Sequence, residues 1–262
     1  MIALERRDGR PLVIGHRGAA ALAPENTLRS FRAALAAGVD LIEFDVLELK
    51  GGELVLAHSN DLAEVSHGAA RGTVRDRTLA GLRDVAPELP TLDEALAFFA
   101  EEGESVGVHL DLKTPGAEQK VAGALDRFGL VERTLVSSFH VGSVRTLSRI
   151  DPRVRTGISF PEDRLGIYGR RGFGPVIRAG LRVLRPVTPA LVGQLLARSC
   201  ATVLALHHAL VTPAAIRGAH DRGAAVVAWT IDDPRDLVRV ETAGVDAVVV
   251  NDPGIFASKL ET

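Results

Sequence analysis

Short apolar runs alternate along the chain with segments in which apolar residues recur roughly every three to four positions. The runs are typical of buried strands, and the recurrence is typical of amphipathic helices. Strands are predicted at about Leu12–Gly15, Leu41–Leu47, Val106–Leu112, Thr134–Ser138, Arg155–Ser159, Thr202–Leu206, Ala225–Thr230 and Ala247–Val250. Helices are predicted at about Thr27–Ala37, Leu92–Glu101, Ala117–Phe128, Val141–Ile150, Pro189–Arg198, Pro213–Arg222 and Pro234–Thr242, with a short final helix at Pro253–Leu260.

The repeated order of strand and helix predicts a parallel sheet with right-handed crossovers. Eight such strands predict closure into a (β/α)8 TIM barrel, a fold that needs about 250 residues. The competing fold, an open doubly wound sheet, uses about six strands. Helix starts are marked by Thr91 or Asp93, Thr212-Pro213 and Asp233-Pro234, and helix ends by Gly38, Gly223 and Gly244. We therefore expect residues 1–262 to form a single α/β domain.

Two segments interrupt this pattern. Residues 48–90 are predicted to insert a hairpin after the second strand, with Gly51-Gly52 as its turn and Leu54–His58 as its return arm. Residues 160–188 form a long connection after the fifth strand, and such connections are usually lids or binding loops. Arginines recur in it, at Arg164, Arg170, Arg171, Arg178, Arg182 and Arg185. It is interpreted either as a solvated basic excursion or as a lid that makes weak contact with an anionic lipid surface.

Composition excludes several classes of protein. Apolar residues make up 46% of the 262 residues, and the formal net charge is -2. This balance argues against a disordered chain and against a basic nucleic-acid-binding surface. The single Cys200 can form neither an internal disulfide nor a cysteine zinc cluster. No signal-peptide pattern or membrane-length apolar run is present, so a cytoplasmic location is expected. The oligomeric state is not predicted.

The first two predicted strands carry polar groups where a barrel has its active site, at the carboxyl ends of strands. His16 and Arg17 follow the first strand, and they pair a titratable group with a fixed cation that can grip phosphate. In the second strand, alternation puts Glu43 and Asp45 on one face. Two adjacent carboxylates indicate a divalent cation with oxygen ligands, an acid/base pair or an arginine-bridged structural pair.

The third strand and the hairpin extend this set. Alternation puts His109, Asp111 and Lys113 on one face, so Asp111 can complete a carboxylate triad and Lys113 can hold a phosphate. His109 lies deeper and is interpreted as a core histidine. His58 ends the hairpin return arm and supplies a second histidine, as a displacement at phosphorus with a base and an acid requires. His207 or His208, at the end of the sixth strand, is a further candidate to line the pocket.

These residues resemble the glycerophosphodiester phosphodiesterase family over nearly the whole chain. The matching motifs are His16-Arg17-Gly18, Pro24-Glu25-Asn26-Thr27, Glu43-x-Asp45, His58, Asp111-x-Lys113, Ser138-Phe139, Ala228-Trp229-Thr230-Ile231-Asp232-Asp233-Pro234, Gly244-Val245-Asp246 and Asn251-Asp252-Pro253. The resemblance implies a barrel that hydrolyses glycerophosphodiesters to an alcohol and sn-glycerol 3-phosphate with Mg²⁺ or Ca²⁺.

The resemblance also implies residue roles. The roles it assigns are metal ligation by Glu43, Asp45 and Asp111, acid/base catalysis by His16 and His58, phosphate binding by Arg17 and Lys113, support by Glu25 and Asn26, and a glycerol pocket lined by Trp229. Asp111 stands where the family commonly has Glu, so it is expected to bind the cation less directly or to favour another cation. The nucleophile is either water or the glycerol 2-hydroxyl.

The sequence is also compatible with two other functions. The first is a phospholipase D-like activity on lysophospholipids or sphingolipids, which an apolar lid at 160–188 would favour. The second is a barrel that binds polyol phosphates without turnover, although the histidines and carboxylates needed for catalysis are present. The expected partner is a small-molecule glycerophosphodiester, and no nucleic acid is expected because aromatic platforms are lacking.

Overall fold

The computed structural model of the chain describes residues 1–162 and 174–258. Its strands are β1 (Leu12–Gly15), β2 (Leu41–Glu48), β3 (Leu54–Leu56), β4 (Gly107–Leu112), β5 (Thr134–Ser138), β6 (Arg155–Phe160), β7 (Val203–His207), β8 (Ala225–Ile231) and β9 (Ala247–Val250). Every predicted barrel strand is present, with bounds that differ by one residue or so at some ends. Arg164, Arg170 and Arg171 of the predicted lid lie outside the described residues, as does the end of the predicted final helix.

Eight of these strands close a parallel barrel. Each barrel strand pairs with the next one along the chain, and β1 pairs with both β9 and β2. The remaining strand, β3, is the antiparallel partner of β2 in the predicted hairpin. Parallel register aligns Glu43 with His109, and Asp45 with Asp111 and then Ser137. The TIM barrel is therefore confirmed, and it brings polar residues of three neighbouring strands side by side.

Helices occupy the connections between strands. They are α1 (Leu28–Ala36), α2 (Leu62–Val65), α3 (Leu79–Arg83), α4 (Leu92–Glu101), α5 (Glu118–Arg127), α6 (Val141–Ile150), α7 (Gly174–Leu184), α8 (Thr188–Ser199), α9 (Pro213–His220), α10 (Pro234–Ala243) and α11 (Ile255–Ser258). The predicted starts are confirmed, because Thr91, Thr212 and Asp233 each accept a hydrogen bond from a backbone amide in the first turn.

The apolar residues form three layers of packing. One cluster fills the space between the barrel and its helices, and a second, which includes Leu12, Leu41 and Val227, fills the lower part of the barrel. The third lies under the 48–90 insertion, where α2 and α3 pack on the hairpin. The end of the barrel where the strands begin is therefore filled by side chains, and the end where the strands finish is open. No described helix has the length and apolar character needed to span a bilayer.

Candidate active site

A cavity of about 970 Å³ opens at the carboxyl ends of the barrel strands. Its lining contains seven of the residues singled out in the sequence for acid/base, metal or phosphate chemistry: His16, Arg17, Glu43, Asp45, His58, Asp111 and Lys113. The fold thus brings together groups that are up to about a hundred positions apart in the sequence. Concave sites with convergent polar groups are where ligands bind in barrels.

The loop after β1 turns sharply so that His16 and Arg17 point toward the cavity. A Cβ atom on Gly15 would lie 2.2 Å from the carbonyl oxygen of Gly18, so the turn leaves no room for a side chain there. Arg17 has a φ of 49°, a conformation that L-residues rarely adopt. Its backbone amide donates a hydrogen bond of 2.8 Å to Glu43 Oε2, which ties this loop to β2.

His16 is held in one orientation and one tautomer. Its Nδ1 lies 2.6 Å from Asn251 Oδ1, while the Nδ2 of Asn251 donates to Asp232 at 2.7 Å. Because the oxygen of Asn251 faces His16, the histidine carries its proton on Nδ1, and Nε2 keeps its lone pair. Burial, with the nearby Arg17 charge, lowers the pKa of His16 to about 3. The imidazole is therefore neutral at physiological pH and can accept a proton.

His58 is supported in a different way. Its Nδ1 lies 2.8 Å from Glu64 Oε1, and Glu64 also accepts a hydrogen bond from the Ser59 hydroxyl. Burial alone would raise the pKa of Glu64, but the hydrogen bonds from His58 and Ser59 lower it to about 2. Glu64 is therefore a carboxylate, and it binds the His58 ring. The two histidines share the cavity but have opposite electrostatic surroundings.

Asp45 lies at the centre of the charged cluster. The Nζ of Lys113 is 2.6 Å from Asp45 Oδ1, and the Nε of Arg17 is 3.2 Å from Asp45 Oδ2. Asn26 adds a hydrogen bond of 2.9 Å to Asp45 Oδ2 and accepts one of 3.0 Å from the Asp45 amide. Burial alone would raise the pKa of Asp45, but Lys113 and Arg17 hold it well below its usual range.

Both carboxylate oxygens of Asp111 have bonding partners. One carboxylate oxygen is 2.6 Å from Lys113 Nζ, and the other accepts a hydrogen bond of 2.6 Å from the Ser137 hydroxyl. Since Ser137 uses its only proton on Asp111, the Nε2 of His109, at 2.9 Å, must donate to the Ser137 oxygen. Burial lowers the pKa of His109 to about 4, so it is neutral. His109 is thus part of the site wall as well as buried.

The carboxylates carry more negative charge than the surrounding cations balance. Burial raises the pKa of Glu43 well above its usual range, and the nearby Asp45 raises it further. A hard divalent cation would relieve that repulsion, and the oxygen donors suit it. Among the described residues, however, no three acidic or histidine side chains are already arranged to hold a metal ion. The Lys113 ammonium lies between Asp45 and Asp111 instead. The donors fit a cation in their chemistry, provided that Lys113 moves away.

The opposite wall of the cavity is mostly apolar. Trp229 packs edge-on against Phe139, with ring centroids 5.7 Å apart, and both line the cavity. His208 is not among the described residues that line it, contrary to the interpretation as a pocket residue. Its Nδ1 lies 3.2 Å from Asp236 Oδ2, and Arg239 binds its carbonyl oxygen at 3.1 Å. Its ring also stacks on His207, with ring centroids 4.6 Å apart, and His207 in turn contacts Trp229.

Glu25 and Asn26, the supporting candidates, contact charged residues of the cavity. Glu25 binds the Arg17 guanidinium at 2.8 Å, and Asn26 binds Asp45. The sequence reasoning missed Glu64, Asn251 and Ser137 as partners of the catalytic candidates. Ser137 could have been found, because it aligns with Asp111 in a parallel register. Glu64 lies in the insertion, where no periodic pattern fixes which side chains reach the barrel.

Comparisons with known proteins agree with this geometry. The model of the glycerophosphoryl diester phosphodiesterase family matches residues 16–255. A glycerophosphodiester phosphodiesterase of Caldanaerobacter subterraneus subsp. tengcongensis is 27% identical over 258 residues, covering 93% of this chain and 95% of the relative. One from Bacillus altitudinis is 30% identical over 201 residues, covering 68% and 80%. A solved structure of a provisionally assigned glycerophosphoryl diester phosphodiesterase from Silicibacter pomeroyi has a TM-score of 0.78 and 26% identity, covering 98% and 95%.

Proposed function

The chain belongs to the glycerophosphoryl diester phosphodiesterase family, and from this premise we propose that it hydrolyses glycerophosphodiesters to an alcohol and sn-glycerol 3-phosphate with a divalent cation. One observation carries the proposal. His16 and His58 line the same cavity as Arg17 and Lys113, and the two histidines have opposite electrostatic support. A phosphodiester between them would meet a proton acceptor, a proton donor and two cations.

The histidines divide the proton transfers. His16 takes the proton of the attacking hydroxyl on Nε2, because Asn251 holds its Nδ1 and burial keeps the ring neutral. As the new P–O bond forms and the P–O bond to the alcohol breaks, His58 gives a proton to the departing oxygen. The Glu64 carboxylate lies 2.8 Å from His58 Nδ1 and orients the ring for that step. Arg17 and Lys113 bind the non-bridging phosphate oxygens.

Glu43, Asp45 and Asp111 are the residues that would hold the cation. Bound there, a divalent ion such as Mg²⁺ or Ca²⁺ would neutralise charge that develops on the phosphate oxygens. Lys113 would then release one of its two carboxylates and become available to the phosphate. Asp111 would offer only the oxygen that now faces Lys113, since Ser137 occupies the other. We therefore expect Asp111 to contact the cation more weakly than a longer glutamate would.

Two nucleophiles are compatible with this arrangement, water and the glycerol 2-hydroxyl. The second would give a cyclic 1,2-phosphate before the final product. Following glycerophosphocholine turnover by ³¹P NMR separates them, because a cyclic phosphate has its own resonance. A transient cyclic signal supports the internal nucleophile, and incorporation of ¹⁸O from solvent in a single turnover without that signal supports water.

The direct test of the proposal is a substrate panel. Glycerophosphocholine, glycerophosphoethanolamine and glycerophosphoglycerol would be assayed with Mg²⁺, Ca²⁺ and Mn²⁺, with sn-glycerol 3-phosphate as the readout. We expect its release from at least one diester with a cation present, and its loss in the His16→Ala variant. Absence of glycerol 3-phosphate with every combination would refute the proposal and favour a barrel that binds polyol phosphates without turnover.

A second candidate is phospholipase D-like cleavage of lysophospholipids or sphingolipids. The observation that favours it is the exposed apolar side of α7, where Val183 is 76% exposed. Choline release from lysophosphatidylcholine would be compared with choline release from glycerophosphocholine under the same conditions. A higher kcat/KM on the long-chain substrate would support this candidate over the first.

A further inference from the structure

Helix α7 presents an apolar side that the described residues leave open to solvent. Val176 and Val183 are 60% and 76% exposed, and Val187, just after the helix, is 49% exposed. Positions seven apart lie on the same face of a helix, so Val176 and Val183 form one stripe. Leu181, by contrast, is buried and fixes the helix on the core. The valines are thus free to contact a partner while Leu181 holds the helix in place.

A second exposed side of α7 is basic. Arg178, Arg182 and Arg185 recur at spacings of four and three, so they also share a face. Among the described residues, none of their guanidinium groups forms an ion pair, and the helix contains no acidic residue. Arginines on one exposed side and apolar residues on another are characteristic of helices that lie at a membrane surface. A site for a soluble polyanion would need only the arginines.

The location of α7 relates this side to the cavity. The helix follows β6, and it packs against the short turn His208–Leu210 that follows β7. Both lie at the carboxyl end of the barrel, where the cavity opens. The first part of the same connection supplies Pro161 to the cavity lining. Leu22, 56% exposed, lies in the loop after β1 at the same end.

We propose that α7 docks on an anionic phospholipid surface, with Val176 and Val183 entering the interface and Arg178, Arg182 and Arg185 contacting acidic headgroups. This goes beyond the hydrolytic reaction, since docking requires none of the groups in the cavity. The valines alone or the arginines alone would attract the protein only weakly to a membrane, and both together would give reversible binding. The mouth of the barrel would then face the membrane, from which glycerophosphodiesters and lysophospholipids are released.

Vesicle sedimentation with the full chain tests the proposal. Vesicles of phosphatidylcholine alone would be compared with vesicles containing a third phosphatidylglycerol, at low and high salt. We expect the protein to pellet with the anionic vesicles and to be released by salt, because the arginine contribution is screened. Failure of the folded wild-type protein to pellet with anionic vesicles would overturn the proposal. Binding to heparin without binding to vesicles would overturn it as well.

Paired variants locate the surface. Arg178→Gln and Arg182→Gln should each weaken binding by about fivefold, and Val176→Ser and Val183→Ser each by about threefold. The controls are Arg149→Gln on α6 and Val238→Ser on α10, which are exposed and belong to other helices. Turnover of soluble glycerophosphocholine should be unchanged in all six variants. Equal loss of binding in the control variants, or no loss in the α7 variants, would contradict the assignment.

A fluorescent reporter measures insertion directly. In the Val183→Trp variant, tryptophan emission should shift to shorter wavelength when anionic vesicles are added. The same change at Val238→Trp should give no shift, because that side chain lies on α10. A shift in the second variant and none in the first would place the contact elsewhere on the protein and overturn the proposal.

Discussion

The two halves of the barrel present different surfaces to the same cavity. Among the described residues, the charged groups that line it at the strand ends all come from strands β1 to β4, and they include His16, Asp45 and Lys113. Strands β5 to β9 contribute mainly small or apolar side chains, such as Ala205, Trp229 and Val249. If the proposed function is correct, we expect a division of work in which the first half carries out proton transfer and charge neutralisation, and the second half shapes the space for the alcohol and glycerol groups.

The division has two informative exceptions. Asn251, just after β9, sets the tautomer of His16 from the second half. Ser137, on β5, fixes one oxygen of Asp111. Both residues act on a group of the first half through one hydrogen bond, and neither carries charge. The second half therefore also orients the reactive side chains, and this secondary role can be measured separately from shape.

The largest effect is expected from the histidines of the first half. His16→Ala and His58→Ala should each lower kcat by about 10²–10⁴, since each removes one proton transfer. KM should change much less. Steady-state kinetics on glycerophosphocholine would measure both parameters, with His67→Ala on the surface of the insertion as the matched control. Near-normal kcat in either variant would remove that histidine from the mechanism.

The next largest effect should come from Asn251, which follows β9 in the second half but binds His16 in the first half. Asn251→Leu keeps the branched shape of the side chain but removes the oxygen that binds His16 Nδ1. Partners that orient a reactive histidine are worth about 10- to 100-fold in activity, so kcat should fall by that factor while substrate affinity is retained. A rise in KM with unchanged kcat would instead assign Asn251 to substrate binding.

A smaller effect concerns stability and pH. Burial lowers the pKa of His109 to about 4 from an ordinary 6.5. Above pH 6.5 the imidazole is neutral in both the folded and unfolded chains, but below it the unfolded chain takes up the proton first. Stability is therefore lost as the pH falls from about 6.5 toward 4, by about 2 kcal/mol at pH 5 for one such histidine. Urea unfolding at pH 7 and pH 5 measures the loss.

The control for that measurement is a variant without the buried ring. His109→Asn should show a smaller loss of stability between the two pH values than the wild-type protein. His67→Asn, at an exposed position, should show the wild-type loss. If His109→Asn retains the full pH dependence, burial of this ring is not what makes the fold sensitive to acid.

The smallest effect is expected from the apolar half. Trp229→Phe keeps an aromatic ring against Phe139 but reduces the surface that a glycerol group can contact. We expect KM to rise about threefold to tenfold with kcat nearly unchanged, as for a change of roughly 1 kcal/mol in uniform binding. A fall in kcat that matches the His16 variant would contradict the proposed division between the halves.

The sequence predicted the barrel because each strand is short, apolar and followed by a capped helix. Thr91, Thr212 and Asp233 mark helix starts by a local hydrogen bond that needs no tertiary context. Alternation alone also placed Glu43 beside Asp45, and His109 beside Asp111, on inward faces. These features depend on periodicity within a single element, so a pattern along the chain is enough to find them.

Other features depend on which distant side chains meet. Glu64 reaches His58 only because the insertion folds on its own small core. His208 was expected in the pocket from its position at a strand end, but Asp236 and Arg239 hold it on the outer side of the turn. The position of Lys113 between Asp45 and Asp111 likewise depends on the register of β2 against β4, which the sequence alone does not specify.

The central claim is that the carboxylates of the charged half hold one divalent cation, and calorimetric titration of the metal-free protein tests it most directly. We predict that Mg²⁺ or Ca²⁺ binds to the wild-type protein at a single site, that Glu43→Gln and Asp45→Asn abolish the binding heat, and that the surface variant Asp93→Asn retains it. Saturable binding that survives both Glu43→Gln and Asp45→Asn, or no binding of either cation to the wild-type protein, would contradict the claim.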